Sequence, residues 1–207
     1  MKLRKLFAMT IAAIMAVSTM AISVSAEEKL DDAVVSVLAT DGVSRVYLTQ
    51  ADIDNGKTEI SGYNGITVEV VSQSIADANR ERLQIRLVGG YSSTTIPTST
   101  RNLENAEYSG TYNVPIGGKR YSEYLLLNKT NTRIAMNAKP TTDCDNEFVV
   151  ELWTKEFGGP LIKWNIDNTN TQMVVVTGIN QNHTIFAKLE NNSNVTANGS
   201  LVLQGLV

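Results

Sequence analysis

Cysteine and histidine are almost absent from this chain of 207 residues, which holds only Cys144 and His183. A single cysteine cannot form an internal disulfide bond, so packing alone must hold the fold together. One cysteine and one histidine also exclude a zinc site built from several such ligands. Asp143 and Asp145 flank Cys144 and disfavour its thiolate, which makes it a poor nucleophile.

The motifs of common enzymes are missing as well. The sequence has no G-x-S-x-G elbow, and no pair of carboxylates stands out among its 21 acidic residues. A catalytic triad needs one histidine, but His183 lies beside Asn180 and Asn182, in a setting typical of a turn or strand edge. We therefore expect no catalytic residue and no cofactor, with a secreted hydrolase of unrecognised site as an alternative.

Acidic loops raise the question of a calcium site. Asp52, Asp54 and Asn55 resemble part of an EF-hand loop, but Asn55 comes one residue too early for that pattern. Asp143, Asp145 and Glu147 form a comparable cluster without a complete motif. Both clusters are more typical of solvated turns, and no metal site is predicted.

Long apolar runs are confined to the N-terminus, which has the order of a secretory signal peptide. Three basic residues precede an apolar stretch over residues 6–22, and small residues end at Ala26 before Glu27. We expect cleavage after Ala26 and a secreted, extracellular protein. No later run reaches the roughly 18 apolar residues of a membrane span, and no cysteine near Ala26 would carry a lipid anchor.

The net charge limits which partners are expected, and the cysteine content indicates the kind of source. The predicted leader removes three basic residues and no acidic ones, so the remaining chain is more acidic than the overall net charge of −3. An acidic chain is a poor candidate for binding nucleic acid or anionic lipid. The lack of cysteine favours a bacterial secreted protein. N-glycosylation is the rival interpretation, with sequons at Asn128, Asn182, Asn191, Asn194 and Asn198.

Apolar residues alternate with polar ones in most segments, which is the pattern of strands with one buried face. Phe148, Val150 and Leu152 form one such set, while residues 173–176 are continuously apolar and predict a central strand. The fold class predicted is an all-β antiparallel sandwich, immunoglobulin-like or jelly-roll-like. Helix is predicted only around 49–52, where Thr49 and Asp52 form a capping box, and around 74–82.

The domain organisation has two interpretations. A Ser/Thr-rich stretch over 91–107 predicts a linker or crossover loop between a small N-terminal β region, 27–90, and a C-terminal sandwich, 108–207. The alternative is one continuous sandwich over 27–207. A Pro-x-Gly-Gly turn over 115–118 predicts a hairpin.

Strand parity suggests a candidate binding surface. Trp164 shares parity with apolar neighbours and should be buried, whereas Trp153 shares parity with Glu151 and should face outward. Phe186 alternates with core positions and should also face outward. Exposed aromatic rings beside carboxylates can stack on a sugar and bind its hydroxyls, so Trp153, Glu151 and Phe186 are the predicted ligand-binding residues.

The sequence therefore predicts a secreted, non-catalytic β-sandwich that binds a glycan or a surface partner. A self-associating structural surface protein is the second hypothesis, and it would use open edge strands.

Overall fold

The computed structural model describes residues 32–72, 85–104, 106–129, 133–145, 147–166 and 173–206. The predicted signal peptide over 1–26 and the predicted helical turn over 74–82 lie outside these residues. Within the described residues, no helix is both long and apolar enough to cross a membrane.

The described part of the chain is nearly all β-structure, with fifteen strands and one short α-helix. The helix α1 (Gln50–Asp54) follows β2, and a single 3-10 turn covers Tyr63–Gly65. The strands are β1 (Ala33–Leu38), β2 (Arg45–Thr49), β3 (Glu59–Ser61), β4 (Thr67–Val71), β5 (Ile85–Val88), β6 (Thr100–Asn102), β7 (Ala106–Val114), β8 (Lys119–Tyr121), β9 (Leu125–Leu127), β10 (Arg133–Pro140), β11 (Phe148–Thr154), β12 (Pro160–Ile166), β13 (Met173–Thr177), β14 (Thr184–Asn191) and β15 (Ala197–Leu206).

These strands form two sheets. Sheet A has the order β2-β1-β12-β11-β14-β9-β6, and β8 pairs with the second half of β14. Sheet B has the order β3-β4-β13-β10-β15-β7-β5. Most pairings are antiparallel, but β5 runs parallel to β7 and β6 runs parallel to β9. The prediction of wholly antiparallel sheets is therefore wrong at these two edges.

The alternating pattern is confirmed along the strands. Phe148, Val150 and Leu152 of β11 all belong to the main hydrophobic core. The continuously apolar strand β13 lies between β4 and β10, as predicted for a central strand, and is buried on both faces. A strand within a sheet that is covered on both faces needs apolar side chains at every position.

One hydrophobic cluster contains side chains from both sheets, so the core lies between them. Trp164 of sheet A and Met136 of sheet B are members of this cluster. Trp164 is 2% exposed, which confirms the prediction from its parity. A second, smaller apolar cluster is formed by Val71, Ala135, Met173, Val175 and Leu206.

The N-terminal and C-terminal parts of the chain share both sheets. β1 pairs with β12 in sheet A, and β4 pairs with β13 in sheet B. The segment between β5 and β6 crosses from sheet B to sheet A, and Tyr91 within it is fully buried. Residues Asp31–Val207 form one compact unit.

Two short motifs were predicted from neighbouring residues alone, a capping box at Thr49 and a hairpin turn over 115–118, and only the first is confirmed in full. The capping box is confirmed, because the Thr49 hydroxyl accepts from the Asp52 N–H and the Asp52 carboxylate accepts from the Thr49 N–H. The turn over 115–118 is present, since the Gly118 N–H donates to the Pro115 carbonyl. It is not a hairpin, because β7 lies in sheet B and β8 pairs with β14 of sheet A.

Candidate functional site

The three predicted ligand-binding residues lie together on the face of sheet A that points away from the core. Trp153 on β11 is the cross-strand neighbour of Phe186 on β14. Their rings stack with centroids 5.8 Å apart and planes 23° apart. Tyr121 of β8 packs against the other side of the group, 6.3 Å from the Phe186 ring.

Glu151 forms the polar centre of this cluster. Its Oε2 accepts a hydrogen bond of 2.8 Å from the Trp153 indole N–H and lies 2.8 Å from Lys188 Nζ. Its Oε1 lies 3.7 Å from Lys163 Nζ. A carboxylate at this depth needs such partners, because an unpaired buried charge is costly.

Lys188 connects Glu151 to a second carboxylate. Its ammonium contacts Glu190, which lies two residues further along β14. Burial lowers the pKa of Lys188, but hydrogen bonds and charge from Glu151 and Glu190 outweigh this and raise it above its ordinary value. Burial alone would raise the pKa of the Glu190 carboxyl. The hydrogen bond and charge of Lys188, with the charge of nearby lysines, outweigh burial and bring this pKa below its usual range.

Only one of the three predicted residues reaches the surface. Glu151 is 4% exposed and Phe186 is 2% exposed, whereas Trp153 is half-buried. Phe186 lies on the outer face, as its parity predicts, but it is not exposed because Tyr121 and Trp153 cover it. The aromatic cluster therefore offers a ligand an edge of Trp153, while its polar groups already bind one another.

A groove lies on the opposite side of the molecule, on the outer face of sheet B. It has a volume of about 400 Å³, which is within the range of small-molecule sites. Its lining comes from four adjacent strands and the segment after β5, and we call it the sheet B groove. The lining residues are Arg86, Val88, Gly89, Ser109, Gly110, Thr111, Asn137, Lys139, Ser200 and Val202.

The register of the strands explains the shape of the groove. Thr111 of β7 and Lys139 of β10 both pair with Ser200 of β15. Small side chains thus form the floor, and the long side chains of Lys139 and Arg86 stand at its two sides. Since neighbouring strands lie about 4.8 Å apart, the strands β5 and β10 that bound the groove are roughly 14 Å from each other.

Gly110 allows β5 to approach β7 at the end of the groove. A Cβ on Gly110 would lie 2.3 Å from the carbonyl oxygen of Gly89 and would collide with it. The Gly89 N–H donates to the Ser109 carbonyl, which holds the two segments together. This close contact fixes the position of the β5 wall relative to the floor.

Two cationic side chains line the groove of this acidic protein. Arg86 Nε donates to the Ser109 hydroxyl at 3.0 Å and lies 3.7 Å from the buried Glu107 carboxylate. Lys139 is exposed on the far side, and among the described residues no carboxylate pairs with it. The hydroxyls of Thr111 and Ser200 likewise have no partner within the described part of the chain. These groups can therefore bind a ligand without first breaking internal contacts.

The contacts of His183 and Cys144 are those of residues that stabilise the local fold. The His183 ring lies edge-on to Phe157 at 5.4 Å. The backbone N–H of His183 donates to the Asn180 carbonyl within the turn that precedes β14. Cys144 is buried, and burial together with the carboxylates of Asp143 and Asp145 raises the pKa of its thiol above the ordinary value.

The acidic loops also serve local structure. Asp52 is engaged in the capping box, and Asp143 accepts a hydrogen bond from the Asp145 N–H. Within the described residues, no three His, Cys, Asp or Glu side chains come together as metal ligands.

Sequence reasoning missed the groove residues. Each contributing strand does carry polar or small side chains at alternate positions, as at Ser109 and Thr111 in β7 and at Asn137 and Lys139 in β10. That signal was present, but the side-by-side order of β5, β7, β15 and β10 cannot be read from it. These strands are distant in sequence, and one pairing is parallel.

No protein-family model matches the chain, and no curated protein matches it in sequence. The surfaces of the molecule itself are therefore what indicates its function.

Proposed function

We propose that this is a secreted, non-catalytic extracellular protein that binds a glycan, and that the sheet B groove holds it. The observation that carries the proposal is the lining of that groove. Hydroxyl, amide and cationic groups converge there beside the apolar side chains of Val88 and Val202. A sugar ring presents hydroxyls at its edge and C–H groups on its faces, and this mixed lining suits both.

We further infer that the two sheets form a β-sandwich of the jelly-roll type. Strands β7 to β15 support this, because one sheet has the order β7-β15-β10-β13 and the other has β14 between β8/β9 and β11-β12. That order corresponds to two interlocked Greek keys, and the N-terminal strands extend the edges. Lectin domains are among the proteins with this architecture.

Substitution in the groove floor tests the proposal. Ser200→Phe should fill the groove and abolish binding to whichever saccharides the unmodified protein retains on an array of neutral and acidic oligosaccharides. Ser61→Phe is the matched control, because Ser61 is exposed on edge strand β3 at the opposite side of the same sheet. An array without any bound saccharide, or equal binding by Ser200→Phe, would contradict the proposal.

Self-association through β5 is a second candidate function, favoured by one observation. β5 is the edge strand of sheet B, and its Ile85 and Val88 are 57% and 67% exposed. Apolar side chains on an open edge strand promote pairing with another strand. Sedimentation velocity over a range of concentrations should then show a dimer that Ile85→Lys disrupts. A monomer at all concentrations would contradict this candidate.

A further inference from the structure

We propose that the ligand of the sheet B groove is an acidic saccharide, one that carries a carboxylate, sulfate or phosphate group on a polyhydroxylated ring. This inference rests on the proposed function and specifies its ligand class. The two sides of the groove each present a cation, Arg86 on β5 and Lys139 on β10. The floor between them carries hydroxyls rather than carboxylates.

The two cations have different roles. Arg86 is held through its Nε, which donates to the Ser109 hydroxyl and lies 3.7 Å from the Glu107 carboxylate. Its other guanidinium N–H groups remain for a ligand. Because a guanidinium is planar, it can bind a carboxylate through two parallel hydrogen bonds. Lys139 is a mobile point charge on a flexible stem that can reach an anionic group at more than one position.

The net negative charge of the chain makes the cations Arg86 and Lys139 a specific place for an anionic ligand to bind. The protein has a net charge of −3, which disfavours non-specific binding of an anionic ligand. Among the described residues, the lining of the groove holds two cations and no carboxylate, and Glu107 lies behind Arg86 as its buried partner. Binding should weaken as salt is added, since the contacts with Arg86 and Lys139 lie near the surface.

The floor favours a sugar over a simple anion. Thr111, Ser200 and Asn137 can each donate or accept a hydrogen bond, which matches a chain of ring hydroxyls. Val202 on the floor and Val88 on the wall provide apolar surface for the C–H face of the ring. Inorganic anions would use only the cations and should bind far more weakly.

A matched pair of ligands tests the inference. Oligogalacturonic acid and its methyl ester have the same skeleton and hydroxyls, and only the acid is charged. Calorimetric titration should show at least about tenfold tighter binding of the acid, because one charge-assisted hydrogen bond accounts for such a factor. The series also includes sulfated and phosphorylated oligosaccharides of equal length, which identify the preferred anionic group. Free sulfate and free phosphate test whether the sugar is needed.

Lys139→Met removes one cation and keeps most of the apolar stem. It should weaken binding of the acidic saccharide about tenfold and binding of the neutral ester by a clearly smaller factor. Lys155→Met is the control, since Lys155 is exposed on the turn after β11 in the other sheet. Arg86 is not a suitable first variant, because its removal leaves the buried Glu107 without this partner.

The outcomes separate the two proposals. Equal binding of acid and ester, with both lost in Ser200→Phe, overturns the acidic ligand and leaves the glycan function standing. Equal binding of free sulfate or phosphate overturns the saccharide part of the inference. If none of the acidic saccharides binds, the inference is wrong, and the array of neutral sugars alone then decides the proposed function.

Discussion

Lys188 Nζ lies 2.8 Å from the Oε2 of Glu151, a carboxylate that is 4% exposed on the outer face of sheet A. The Trp153 indole N–H donates to the same oxygen. The pair therefore holds β11 and β14 together, and its loss would leave a buried charge without its nearest cation.

Lys188→Met should destabilise the protein by about 3 kcal/mol, because breaking one side of a buried ion pair costs more than the pair contributes. Lys163→Met is the matched control. Lys163 lies 3.7 Å from Glu151 and is more exposed, so its loss should cost about 1 kcal/mol or less. Denaturant unfolding measures both values, and equal effects of the two variants would contradict this account of the network.

The stabilisation from Lys188 should depend on pH at both extremes. The raised pKa of Lys188 gives stability that is complete below about pH 10 and is lost as pH rises through the folded value. The lowered pKa of Glu190 gives stability that is present above about pH 5 and is lost as pH falls. The difference in unfolding free energy between the protein and Lys188→Met should thus be largest in between. A difference that is constant from pH 3 to pH 11 would contradict it.

The two tryptophans should differ in their cost of removal. Trp164→Ala should destabilise the protein by about 3–5 kcal/mol, as is usual for a large aromatic in the core. Trp153→Ala should cost less, because Trp153 is half-buried on the outer face. Acrylamide quenching of single-tryptophan variants should reach Trp153 and spare Trp164. If Trp153 is protected from acrylamide as fully as Trp164, the aromatic cluster is closed to solvent and this prediction is wrong.

A fragment of residues 106–207 should not fold cooperatively. It would lack β1, which pairs with β12, and β4, which pairs with β13. Two apolar strands would become open edges, which promotes aggregation. Circular dichroism and thermal unfolding of the fragment provide the measurement. A stable fragment with a sharp transition would instead support separate domains over 27–90 and 108–207.

Alternation in the sequence was enough to predict which face of a strand is buried. It assigned Phe148 and Trp164 to the core, and the capping box at Thr49 was equally local. Such signals arise within a few residues, because side chains alternate across a strand and a helix end needs its own acceptor.

The neighbours of each strand were not predictable in the same way. Phe186 is buried because Tyr121 packs on it, and β8 is far from β14 in sequence. The sheet B groove depends on β5 running parallel to β7, with β15 next to it. Alternation within a strand contains no information about which other strand will pair with it.

Nuclear magnetic resonance mapping of ligand contact tests the central claim most directly. Addition of oligogalacturonic acid to the labelled protein should shift the backbone amides of Gly89, Ser109, Gly110 and Ser200, which line the sheet B groove. Shifts confined to the amides around Trp153, or no shifts at all with any acidic or neutral oligosaccharide, would contradict the claim that this groove binds the glycan.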